Sequence, residues 1–122
     1  MVTVKEIESF LDYGKCVSIS NGVVEALVTI DLGPRIISFG YVGGQNFMCD
    51  ERLRLGCKED KEYTDFFGEG RKWENLGGHR IWLSPESYPE TYLPDDRKVS
   101  YTATENGFDV YFAVDGVNTE YY

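Results

Sequence analysis

The stretch KCVSISNGVVEALVTI, residues 15–30, alternates apolar with small or polar side chains and thereby predicts a β-hairpin. Val17 and Ile19 would share one face of the first strand. The dipeptide Asn21-Gly22 follows, which is typical of tight hairpin turns, and VVEALVTI then predicts the return strand. DLGPR, residues 31–35, predicts another turn before a third strand in IISFGYV. These strands are expected to form an antiparallel meander.

A second hairpin is predicted near the other end of the chain. KVSYTAT and FDVYFAV, residues 98–104 and 108–114, flank the turn Glu105-Asn106-Gly107. A further short strand is expected in HRIWLS, residues 79–84. The predicted fold class is therefore mainly β, an antiparallel β-sandwich of six or seven strands.

The first residues of the chain suggest a helix instead. Thr3 and Glu6 have the spacing of a capping box, and Ile7, Phe10 and Leu11 then follow at helical spacing. A short N-terminal helix over about residues 4–12 is expected, docked on the β domain by these apolar side chains.

Length and charge pattern predict the domain organisation. The chain has 122 residues, which favours a single β domain over residues 1–122. Residues 50–72 carry seven acidic and six basic side chains without an apolar period. This segment is predicted to be a charged, solvated excursion, with a functional lid as the alternative.

Charge and residue composition indicate which classes of partner the chain is expected to bind. The formal net charge is −9, so the chain is expected to bind neither nucleic acid nor anionic membranes. No apolar run approaches the roughly 20 residues of a membrane span, and the first residues do not resemble a secretory signal. The three cysteines do not occur as close pairs, which indicates a cytoplasmic protein without disulfides, metal site or cofactor.

The stretch WENLGGHRIW, residues 73–82, contains the only histidine of the chain and is the candidate functional segment. Gly77-Gly78 allows positive φ or the close approach of a ligand, His79 suits proton transfer or hydrogen bonding, and Arg80 offers a planar set of donors. Aromatic faces and carboxylates lie nearby in sequence: Trp73, Trp82, Tyr88, Tyr92, Glu74, Glu86 and Glu90. Such a set suits a polyhydroxylated ligand, whose C–H faces pack on rings while its hydroxyls form hydrogen bonds. The alternative is a structural histidine beside core tryptophans.

Two segments carry a resemblance to a known family. LGPRIISF, residues 32–39, and GGHRIW through Pro85-Glu86 resemble the N-terminal part of galactose-mutarotase-like proteins, the relatives of aldose 1-epimerases and hexose-phosphate epimerases. The resemblance implies part of a β-supersandwich whose cleft holds a sugar, with Arg35, His79, Arg80, Trp82 and Glu86 among the ligand contacts. It also implies that the family's catalytic histidine and glutamate lie on later strands, so the catalytic residues are unknown and the domain is expected to be incomplete relative to the family.

Three functions follow as hypotheses. The first is a module that binds a sugar or sugar phosphate through Arg35, Trp73, Glu74, His79, Arg80, Trp82 and Glu86, without full catalytic machinery. The second is an active epimerase that pairs His79 with Glu74 or Glu86. The third is a non-catalytic assembly module, a homo-oligomer formed through open strand edges and a tyrosine-rich surface. The tyrosines suggested for this surface are Tyr88, Tyr92, Tyr101, Tyr121 and Tyr122.

Overall fold

A computed structural model describes residues 1–51, 57–58, 60–82, 84–88, 90–92 and 96–111. This part of the chain contains eight strands, a short α-helix and a 3-10 turn at Glu90–Tyr92. The strands are β1 (Thr3–Ile7), β2 (Cys16–Ser20), β3 (Val24–Thr29), β4 (Ile36–Tyr41), β5 (Cys57–Lys58), β6 (Trp73–Glu74), β7 (Ser100–Thr104) and β8 (Gly107–Tyr111), and the helix is α1 (Lys61–Phe67).

The first four strands form one antiparallel sheet in the order β1-β2-β3-β4. The hairpin predicted from residues 15–30 is confirmed, with Val17 opposite Val28 and Ile19 opposite Ala26. At the turn, the Asn21 side chain accepts hydrogen bonds from the amides of Val23 and Val24, both at 2.9 Å. The apolar alternation and this turn residue together set the register.

The predicted N-terminal helix over residues 4–12 is wrong, because Thr3–Ile7 is the edge strand β1. This strand pairs with β2 along its whole length, from Thr3 opposite Ser20 to Ile7 opposite Cys16. Val4 and Ile7 consequently lie on opposite faces of the sheet, and each packs against a different core cluster. An isolated helix of nine residues is marginal in water, whereas strand pairing satisfies the backbone and gives both side chains a partner.

A β-bulge lies between β3 and β4. Leu27 pairs with Ser38 while Val28 pairs with Ile36, which leaves Ile37 as the extra residue. Ile37 is fully buried and packs with Cys16 and Leu27. Because a bulge changes the alternation of side chains locally, it places Ile37 in the core on this face of the sheet.

Side chains pack against both faces of the four-stranded sheet. On one face lie Tyr13, Cys16, Leu27, Ile37 and Leu76. On the other face, Val17, Ile30 and Val99 pack with side chains of the second hairpin, which is confirmed as β7–β8. Residues 112–114 of its predicted return strand lie outside the described residues. The mainly β, antiparallel, sandwich-like fold class predicted from the sequence is therefore confirmed.

Two segments differ from their local sequence pattern. Among the described residues of 79–84, the expected strand is reduced to a single bridge between His79 and Ile36. Within the charged segment 50–72, α1 begins after Asp60, whose side chain accepts a hydrogen bond from the Tyr63 amide, and Tyr63 is fully buried. No helix within the described ranges is long and apolar enough to span a bilayer.

Candidate functional site

The segment 73–79 is held against the sheet by hydrogen bonds to its backbone. The Tyr13 hydroxyl donates to the Leu76 carbonyl at 2.7 Å. The Arg35 guanidinium donates to the Gly77 carbonyl at 2.6 Å, and the Gly78 amide donates to the Cys49 carbonyl at 2.7 Å. Contacts from three separate parts of the chain therefore set the position of the residues that follow.

Gly77 and Gly78 are required by this docking. Both have positive φ, +79° and +62°. A Cβ atom at Gly77 would lie 2.2 Å from the Cys49 carbonyl oxygen, and one at Gly78 would lie 2.3 Å from that of Ile36. The sequence suggested that these glycines allow either positive φ or the close approach of a ligand. The structure shows positive φ, and the group that approaches closely is the protein's own backbone.

His79 is fixed through its backbone while its side chain is exposed. Its amide donates to the Ile36 carbonyl at 2.9 Å, and its carbonyl accepts from the Ile36 amide at 2.8 Å. Within the described part of the chain, no residue hydrogen-bonds to the imidazole, and the side chain is exposed. The imidazole is therefore oriented by a rigid backbone and available to a ligand, unlike a structural core histidine.

A pocket of about 390 Å³ lies beside this segment. We call it the polar pocket. Six of the seven site residues suggested by the sequence line it: Arg35, Trp73, His79, Arg80, Trp82 and Glu86. These six come from two parts of the chain that are distant in sequence: Arg35 lies in the β3–β4 turn, and the other five lie within residues 73–86. The remaining lining residues are Asn75, Gly77, Gly78, Thr91 and Tyr92.

One wall of the polar pocket combines aromatic rings with a guanidinium. The Arg80 Cζ atom lies 5.7 Å from the centroid of the Trp73 ring, and Trp73 packs edge-on against Tyr92 at 5.4 Å. Arg80 also donates to the Thr91 carbonyl, and the Tyr92 hydroxyl donates to the Glu86 carboxylate. These contacts orient Arg80 and Glu86 before any ligand arrives, which lowers the entropic cost of binding.

The pocket wall contains both hydrogen-bond donors and acceptors. Arg35 lines the pocket and is 4% exposed, so it is a buried cation. The buried indole N–H of Trp73 has no acceptor among the described residues, and Glu86 contributes a carboxylate. Mixed donors and acceptors beside aromatic faces can bind a small polar molecule with C–H surface.

Glu74 is the site residue that the structure does not bring to the pocket lining. It lies in β6, opposite Cys57, and its carboxylate is 3.0 Å from the Lys72 ammonium group. The period of two along a strand places Glu74 on the other side from Trp73, which lines the pocket.

The sequence interpretation did not include Asn75 and Thr91. Thr91 is 7% exposed, and its hydroxyl accepts a hydrogen bond from the Ser87 amide at 2.8 Å. Prolines stand at positions 85, 89 and 94 around it in the sequence, so no regular local pattern points to the 3-10 turn at Glu90–Tyr92. Asn75, in contrast, stands inside the candidate stretch, and its side chain accepts from the Gly77 amide at 3.3 Å.

Two of the three cysteine side chains are described, Cys16 and Cys49, and neither lines the polar pocket. Cys16 is buried in the core, and burial raises the pKa of its thiol to about 11, so the group is protonated at neutral pH. Cys49 is exposed and is a free thiol. In the described ranges, no group of three or more His, Cys, Asp or Glu side chains is arranged to hold a metal ion.

Comparison of the chain with protein-family models, with curated proteins and with solved structures gave no match.

Proposed function

We propose that the chain is a carbohydrate-binding module whose polar pocket takes a sugar or sugar phosphate. The observation that carries this proposal is the convergence of Arg35, His79, Arg80, Trp82 and Glu86 around one pocket from two distant parts of the chain, the β3–β4 turn and residues 79–86. A volume of about 390 Å³ suits a small ligand of the size of a monosaccharide.

The exposure of Trp82 supports a carbohydrate ligand. Its side chain is 48% exposed at the pocket, so part of the ring is open to solvent. The C–H face of a sugar ring packs well on such a surface. The guanidinium of Arg80 and the carboxylate of Glu86 then provide the directed hydrogen bonds that hydroxyls require. Arginine also suits the phosphate of a sugar phosphate.

The resemblance to galactose-mutarotase-like proteins is consistent with the same pocket. The two motifs that carry the resemblance, residues 32–39 and 77–86, are linked by the bridge between Ile36 and His79. They also supply most of the predicted ligand contacts. Membership of that superfamily remains part of the proposal. Turnover is not part of it, because the resemblance implies that the family's catalytic histidine and glutamate lie on strands later than these two motifs.

Saturation-transfer difference NMR tests the proposal. The full chain is mixed with hexoses, pentoses and hexose phosphates, and the ligand signals are recorded. We expect signal from at least one member of the panel, and about 10-fold weaker binding in His79→Ala, because a ligand hydrogen bond is worth about 1.4 kcal/mol. Trp82→Ala should weaken binding through lost ring packing.

The matched control for Trp82→Ala is Phe47→Ala. Phe47 is also an exposed aromatic residue, 64% exposed, and it does not line the polar pocket. This variant should bind like the parent chain. Absence of signal across the whole panel, from a protein that circular dichroism shows to be folded, would contradict the proposal.

A second candidate function is self-assembly, favoured by a group of exposed apolar side chains. Val23, Phe39, Tyr41, Val42 and Phe47, here called the β4 patch, are each more than 40% exposed. Backbone hydrogen bonds join Val42 to Val23 and Phe47 to Phe39, both at 2.9 Å, so the backbones of these residues lie side by side. Exposed apolar clusters of this kind often mark protein interfaces.

A further inference from the structure

A second pocket, of about 350 Å³, adjoins the polar pocket. We call it the apolar pocket. Six apolar side chains form most of its lining: Val28, Pro34, Ile36, Ile81, Phe108 and Val110. Val28 and Ile36 belong to the four-stranded sheet, whereas Phe108 and Val110 belong to β8. The pocket therefore lies where the second hairpin leaves part of the first sheet uncovered.

Three residues line both pockets. Arg35, His79 and Arg80 occur in the lining of the polar pocket and of the apolar pocket. The two spaces are consequently neighbours that share one wall. A ligand with a polar and an apolar part can reach across this wall and contact both.

The apolar pocket is accessible from solvent. Ile81 is 54% exposed and contributes to its lining. Its neighbour in sequence, Trp82, lines the polar pocket, so consecutive side chains at residues 81 and 82 serve the two pockets separately. A volume of about 350 Å³ holds an aromatic ring or a short alkyl chain and is small for a segment of another protein.

We infer that the apolar pocket binds a hydrophobic substituent, an aryl or short alkyl group, carried by the same ligand whose polar part occupies the polar pocket. The ligand class is then a glycoside or another sugar derivative with an apolar group, in place of a free sugar. This inference rests on the proposed function for its sugar part. The apolar pocket itself can be probed without any sugar.

The first arm of the test uses benzyl alcohol as a sugar-free probe in saturation-transfer difference NMR on the full chain. We expect signal from its ring protons. The variant Ile81→Asp places a carboxylate in the apolar pocket and should reduce the signal at least about fivefold, because an ionised group disfavours apolar contact. Since Ile81 is half exposed, this substitution leaves the core intact.

The matched control is Val42→Asp. Val42 is 52% exposed, close to the exposure of Ile81, and it lines neither pocket. It should leave the benzyl alcohol signal unchanged. No signal from benzyl alcohol, or equal signal in the parent chain and Ile81→Asp, would overturn the inference irrespective of any result with sugars.

The second arm measures the link between the pockets. For each sugar of the panel, the methyl and phenyl glycosides are compared by titration. We expect the phenyl glycoside to bind about 10-fold more tightly, since burial of a ring removes apolar surface from water. In Ile81→Asp this ratio should fall to about one. A phenyl glycoside that binds no better than the methyl glycoside, while benzyl alcohol binds, would overturn the shared ligand.

The two arms separate failure of this inference from failure of the proposed function. Binding of benzyl alcohol without binding of any glycoside would contradict the sugar pocket, and with it the shared ligand. Binding of sugars without binding of benzyl alcohol would leave the proposed function supported and refute the apolar subsite.

Discussion

At Gly78 the absence of a side chain lets residues 73–79 lie directly against β4. A Cβ atom there would be 2.3 Å from the Ile36 carbonyl oxygen, and the φ of +62° is unfavourable for any other residue. The carbonyl concerned also accepts the His79 amide hydrogen bond. The position of His79 in the pocket therefore requires a residue without a side chain at position 78.

Gly78→Ala should lower the free energy of unfolding by about 2 to 4 kcal/mol, because it adds backbone strain and a contact with backbone atoms that cannot move aside. Gly22→Ala is the matched control. Gly22 also has positive φ, +89°, but a Cβ atom added there would meet no atom within 4 Å, so we expect a loss of about 1 kcal/mol. Urea denaturation measures both. Equal losses in the two variants would contradict the close packing of Gly78.

At the scale of elements, Glu6 connects β1 to the second hairpin. Its carboxylate accepts a hydrogen bond from the Tyr101 hydroxyl at 2.7 Å and lies 3.1 Å from the Lys15 ammonium group. The Tyr101 hydrogen bond and then Lys15 lower the pKa of Glu6 below its ordinary value of 4.5. This cluster replaces the capping box that the same glutamate suggested from the sequence. The partners of Glu6 in the structure, Tyr101 and Lys15, are therefore residues outside its own strand.

The lowered pKa of Glu6 predicts how stability depends on pH. Since the folded-state pKa lies below the unfolded one, the contribution of Glu6 is present above pH 4.5 and is lost as the pH falls through the lowered pKa. In urea titrations, Glu6→Gln should have a lower midpoint than the parent chain at pH 7, and the difference should shrink as the pH falls below 4.5.

The control for this prediction is Glu105→Gln, which removes a carboxylate from the exposed turn between β7 and β8. Its midpoint should follow that of the parent chain at every pH. A difference between Glu6→Gln and the parent chain that stays constant from pH 7 to pH 3 would argue against a charge-dependent contact at Glu6.

At the scale of the whole molecule, the polar pocket and the β4 patch are separate surfaces. None of the patch residues lines either pocket. The tyrosines that the sequence suggested for assembly are engaged within the chain where the structure describes them: Tyr88 and Tyr92 pack on each other at 6.3 Å, and Tyr101 bonds to Glu6. Tyr121 and Tyr122 lie outside the described residues. The β4 patch is therefore the surface on which self-assembly can be tested.

Sedimentation velocity over a range of concentrations tests the second candidate function. If the β4 patch is an interface, the sedimentation coefficient should rise with concentration, and Tyr41→Lys should return the protein to a monomer. Tyr111→Lys is the matched control, because Tyr111 is an exposed strand tyrosine on β8, outside the patch. A parent chain that stays monomeric at all concentrations would contradict self-assembly through this patch.

The sequence by itself determined the two hairpins, because alternation with a period of two and turn residues such as Asn21-Gly22 are local properties of the chain. It also pointed to most of the residues around the polar pocket, since aromatic, cationic and acidic side chains are concentrated near His79. Only the tertiary structure decided that residues 3–7 form a strand, because pairing with β2 satisfies more backbone hydrogen bonds than a capping box can. Only the tertiary structure placed Arg35 and Thr91 in the same pocket lining as His79, because contacts between segments distant in sequence set their positions. It also showed that Glu74 is not on this lining, because successive side chains of a strand point to opposite sides.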